Sequence, residues 1–173
     1  EGKHNTLDNT QPTNQQPLTP SIKLCIVPNL NLVTDLIPPF AVETVHNPAA
    51  DGNYEFRALA FELFGSEDRY VDVKDTMLLH YLKNIDSDYK RYDHGCVKGI
   101  LNPQDNQWFC TPDYAQITTD AFQTSIALFD GFQSNMYIPL HINPFDAKHT
   151  YPIILQLKNN HIILMKIKPG SHI

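Results

Sequence analysis

The chain changes its hydrophobic period part-way along, and that order limits the folds open to it. After Gly52 the apolar residues Phe56, Leu59, Ala60 and Leu63 fall at helical spacing, and Gly65 reads as a stop. A second helix is expected over about 71–83, with Val71, Leu78 and Leu82 facing inward. Asp68 and Asp72 lie near its start, where the helix dipole favours negative charge. Thr111-Pro112-Asp113 reads as a third helix start: threonine caps, proline suits the first turn, and aspartate suits its positive end. That helix is expected to reach about Phe122 and to bury Ile117 and Ala121. Strand patterns follow over 124–129, 137–140, 153–157 and 161–167, with Lys158-Asn159-Asn160 as a hairpin turn between the last two. Helices first and strands after imply an α+β domain, a small central, mostly antiparallel sheet packed by helices.

The rest of the chain is less regular. Residues 1–20 are rich in Asn, Thr, Gln and Pro and read as a polar arm or linker, leaving 21–173 as the domain. Ile22 to Val27 is a short apolar run, a strand or a docking segment. Pro28, Pro38 and Pro39 break any helix there, and Phe40 to Val45 alternates as a short strand does. Residues 86–107 read as loop with at most a short helix. With 173 residues and 42% hydrophobic content, the chain can bury one core without staples. The absent initiator methionine reads as a fragment or a processed form, and a signal peptide already removed would leave no trace. An intracellular location is favoured.

Composition excludes some functions. A net charge of -6 gives no electrostatic basis for nucleic-acid binding, and no apolar run approaches the roughly 20 residues of a membrane helix. Cys25, Cys96 and Cys110 are too few and too irregular for a disulfide framework; free thiols are the plain reading, and a Cys96–Cys110 pair stays open. The histidines form no metal-ligand spacing, so neither a metal nor a cofactor is expected.

One loop carries a chemical signal. Asp51-Gly52-Asn53 precedes the first helix, where glycine permits a tight turn and backbone amides can stabilise an oxyanion. Taken by itself, such a tripeptide is a generic turn. Four segments in one order make it specific. Asp51-Gly52-Asn53-Tyr54-Glu55-Phe56-Arg57-Ala58-Leu59 resembles the nucleophile motif of the ovarian-tumour (OTU) family of cysteine deubiquitinases. Trp108-Phe109-Cys110-Thr111-Pro112-Asp113 is similar to a segment of OTU domains found beside transposons, and Tyr137-Ile138-Pro139-Leu140 to the strand after it. Asn160-His161-Ile162-Ile163-Leu164-Met165-Lys166-Ile167 resembles the strand that carries the catalytic histidine.

The resemblance implies a papain-like α+β domain that cleaves ubiquitin from lysine. It places Asp51, Gly52 and Asn53 in the oxyanion loop, His161 as general base, and Tyr54 where the nucleophile cysteine belongs. The family's third group often lies two residues past the histidine, but Ile163 stands there; an orienting group from elsewhere is left open. A phenol with a pKa near 10 is a poor substitute for a thiol, so hydrolysis is expected to be lost. The expected function is an inactive OTU-like domain that still binds ubiquitin or a ubiquitin-like protein. The alternative is a self-assembling structural protein, a homo-oligomer that reuses the fold. An active isopeptidase with a replaced nucleophile comes last.

Overall fold

The computed structural model describes residues 36–104, 113–130, 133–142 and 151–171. The polar arm, the Ile22 to Val27 run, Cys25, Cys110 and the Trp108 to Pro112 part of the third helix start lie outside the described residues. In chain order the elements are β1 (Val42–His46), α1 (Tyr54–Phe64), α2 (Tyr70–Lys83), α3 (His94–Leu101), α4 (Asp113–Phe122), β2 (Ile126–Phe129), β3 (Ser134–Tyr137), β4 (Ile153–Lys158) and β5 (His161–Ile167). The five strands form one sheet in the order β1-β5-β4-β2-β3. Among the described strands only the β2–β4 pair is parallel. The molecule is therefore α+β with a mostly antiparallel sheet, as the order of periods implies.

Alternation across the sheet separates two cores. Ile126, Leu128, Ile153, Leu155, Ile162 and Leu164 pack with Phe56, Leu59, Val73, Met77, Tyr81 and Ile117 of the helices. Ala127, Phe129, Ile154, Ile163 and Met165 point the other way and cluster with Ile37, Val42 and Val45. The central strands are buried on both faces, which is why they read as apolar runs, interrupted in β4 by the buried Gln156. Truncating a residue such as Phe56, fully buried, costs about 3–5 kcal/mol.

Local signals set several boundaries. Gly65 ends α1 in the left-handed region, with φ 76° and its N–H on the Phe61 carbonyl. Asn159 and Asn160, at φ 52° and 58°, make the two-residue turn that aligns Lys158 with His161. Asp93 caps α3 by accepting from the amides of Gly95 and Cys96, so a short helix forms in that polar stretch.

Two expectations need correction. The inward face of α2 is Val73, Lys74, Met77 and Tyr81, whereas Leu82 is exposed and Val71 and Leu78 are only partly buried. The buried Lys74 extends its ammonium over the Phe56 ring, 4.8 Å from the centroid, so α2 is rotated away from its most hydrophobic stripe. The strand expected over 137–140 is instead Ser134–Tyr137. Gln116 donates to the Ile138 carbonyl and Asp120 accepts from Leu140 N–H, so this backbone is bonded to α4 side chains instead of a strand.

Candidate functional site

The site lies where the loop before α1 meets the turn before β5. Asp51 organises the loop. Its Oδ1 accepts from the Asn53 amide at 3.1 Å, and its carboxylate takes the Arg57 guanidinium at 2.6 Å from Nη2. Arg57 comes from the first turn of α1 and also lies over the Tyr70 ring, 4.4 Å from its centroid. The hydrogen bond from Arg57 is the largest cause holding the Asp51 carboxyl below its usual pKa. Gly52 adopts φ 85°, a conformation that strains any other L-residue. The Asp-Gly-Asn…Arg pattern is thus a clamp that fixes where α1 begins.

Tyr54 is the first residue of α1 and His161 the first of β5. Their ring centroids are 4.8 Å apart at an interplanar angle of 46°. The Tyr54 hydroxyl donates to the Asn160 carbonyl at 2.6 Å, so the helix start is tied to the hairpin turn. Tyr54 is 6% exposed. Burial is the largest cause pushing its phenol up to about 12, with the charge and hydrogen bond of Glu55 adding to it. Glu55 is itself buried, inside the first turn of the helix.

His161 has a partner that sequence reasoning did not find. Its Nε2 lies 2.6 Å from Oδ1 of Asn47. An amide oxygen only accepts, so Nε2 carries the proton and Nδ1 keeps the lone pair of a base. The antiparallel pairing of β1 with β5, His46 opposite Leu164, carries the next residues toward the start of β5. Ile163, the place where a third group was sought, is buried in the second core. Burial lowers the His161 pKa, keeping the imidazole neutral near pH 7.

The arrangement holds an oriented imidazole beside a protonated phenol that donates a hydrogen bond to a backbone carbonyl. No group of three or more His, Cys, Asp or Glu among the described residues is placed to hold a metal. Cys96 is a free, exposed thiol on α3, with Sγ 3.8 Å from the Tyr114 hydroxyl. No described helix is long and apolar enough to cross a membrane.

No protein-family model matches the chain. No curated protein matches it either. Solved structures do. The viral OTU domain protease from Taggert virus superposes with a TM-score of 0.57 at 14% identity, over 76% of this chain and 83% of that one. The fold is that of OTU domains. The OTU domain protease from Dera Ghazi Khan virus gives 0.54 at 19% identity, over 72% of this chain and 80% of that chain. The Hazara virus OTU bound to ubiquitin gives 0.51 at 15% identity, over 76% and 93%. At such identities the likeness concerns the fold.

Proposed function

We propose that this OTU-fold domain has lost peptidase chemistry and keeps a binding role toward ubiquitin or a ubiquitin-like protein. The observation that carries this reading is Tyr54 itself. It stands at the helix start, packed against His161, with a phenol pKa of about 12 and its hydroxyl committed to Asn160. In this reading Tyr54 occupies the nucleophile position, His161 is the base, Asn47 orients it, and Asp51, Gly52 and Asn53 form the oxyanion loop. A thiolate attacks because it is ionised and compact; this phenol is neither. Its buried ring fills space that a scissile carbonyl would need. The partner class is supported by a structural neighbour, the Hazara virus OTU, whose structure contains ubiquitin. The transposon-associated type rests on the Trp108 to Asp113 and Tyr137 to Leu140 resemblances alone. Titration with labelled ubiquitin, together with a fluorogenic ubiquitin cleavage assay, tests the reading; saturable binding without turnover is expected.

A second reading, self-assembly, draws on one observation. β3 is an edge strand, and Met136, Ile138, Leu140 and Ile142 on it and just after it are exposed. Mass measured against protein concentration separates the two readings. Growth of the particle without ubiquitin binding favours assembly.

A further inference from the structure

The loop that carries Asn47 is held from outside the site by one side chain. Glu67 belongs to the short 3₁₀ turn Glu67–Arg69 between α1 and α2. Its Oε1 lies 2.8 Å from Nε2 of His46. Its Oε2 accepts from the Ala49 amide at 3.0 Å. One contact falls just before Asn47 and the other just after it. The His46 ring is stacked on Phe61, with centroids 3.8 Å apart and planes 7° apart, which fixes that end. The backbone carbonyl of Glu67 accepts from Arg57 Nη1 at 3.4 Å, and Arg57 is the residue that clamps Asp51. Residues 47–50 belong to no helix or strand, and Asn47 is exposed. A two-point hold on the flanking residues is what a loop of this kind needs to keep one side chain in register.

We propose that Glu67 is a positioning residue, which fixes Asn47 against His161 and so sets which imidazole nitrogen carries the proton. The proposal rests on the His161–Asn47 pairing of the site and is independent of whether ubiquitin binds. Small displacements of an orienting group are costly in such sites, because the hydrogen bond that selects the tautomer weakens steeply with distance and angle. Neither Glu67 nor Asn47 belongs to the motif around Tyr54, so the device is invisible to motif matching.

The test reads the tautomer directly. The full chain is labelled with ¹⁵N-histidine and the His161 Nδ1 and Nε2 signals are recorded at pH 8, where the imidazole is neutral. The unaltered protein is expected to show one Nε2-protonated tautomer. In Glu67→Ala the two signals are expected to converge as the tautomers mix. Glu67→Gln keeps the acceptor for Ala49 but turns an amide donor toward His46 Nε2; with His46 protonated on Nδ1 it still holds both ends of the loop, and it is expected to retain the original His161 signals. His46→Phe keeps the stack on Phe61 and removes one of the two contacts; it is expected to shift the signals in the direction of Glu67→Ala. It decides the matter if Glu67→Ala fails to fold. Val73→Ala, a cavity at a fully buried position of α2, should lower Tm and leave the His161 signals in place. Unmoved signals in Glu67→Ala, or equal movement in Val73→Ala, would overturn the positioning role. A tautomer mixture in the unaltered protein would remove the His161–Asn47 pairing itself. Ubiquitin titration of the same variants reports separately on the binding reading.

Discussion

The imidazole of His161 and the amide of Asn47 meet at 2.6 Å although 114 residues separate them in the chain. In the proposed reading this pair keeps the imidazole base oriented, and the chemistry is lost at one position, Tyr54, with its surroundings kept.

Replacing that position alone is expected to restore little. Tyr54→Cys places a thiol beside the oriented imidazole, but the buried carboxylate of Glu55 lies next to it, and that charge raises a thiol pKa as it raises the phenol's. Each unit of upward shift lowers the thiolate fraction about tenfold. Alkylation by iodoacetamide, followed against pH, should be slow in Tyr54→Cys. It should be about tenfold faster at pH 7 in Tyr54→Cys/Glu55→Leu. Equal rates would show that Glu55 does not govern the site.

Tyr54→Phe isolates the hydroxyl. The Asn160 carbonyl loses its donor at 2.6 Å in a partly buried setting, at a cost of about 1 kcal/mol. Urea denaturation measures this as a lower midpoint with an unchanged slope. An unchanged midpoint would mean that water replaces the phenol without loss.

Stability is expected to fall in mild acid. His161, His46 and His80 all have lowered pKa values, with burial as the largest cause for each. Below about pH 6.5 the unfolded chain takes up protons that the folded chain resists, so unfolding becomes easier as pH drops. The effect is absent above the unfolded value and grows until the folded imidazoles also protonate. Tm should decline between pH 7.5 and 5.5, and His161→Gln should flatten the decline. A flat Tm profile in the unaltered protein would contradict the burial effect.

The left-handed loop residue gives a backbone test. Gly52→Ala forces a Cβ onto φ 85° and should cost about 1 kcal/mol or more. Thermal melting measures it. Gly65→Ala, at φ 76° with open space around the added Cβ, should lower Tm to a similar degree, because both costs are conformational.

Much of the fold was legible because its signals are local. Gly65 stops α1, Asn159-Asn160 makes a two-residue turn, and the apolar runs of β4 and β5 pair across it. Tyr54 and His161 could be brought together only through the order of several motifs, since no local rule joins them. What stayed hidden depends on tertiary packing. Lys74 and Tyr81 belong to the buried face of α2, which a hydrophobic stripe drawn through Val71, Leu78 and Leu82 misses. Asn47 carries no motif and reaches His161 only because β1 pairs with β5. Glu55 follows Tyr54 directly in the sequence, where its charge opposes a thiolate only if it faces the site, and the structure shows it buried in the first turn of α1.

One experiment reads binding and cleavage together. Fluorescence anisotropy of end-labelled di-ubiquitin is followed for hours after the protein is added. A saturable rise that then holds constant is the predicted result. No rise at any concentration, or a rise that decays as labelled monomer is released, would contradict it.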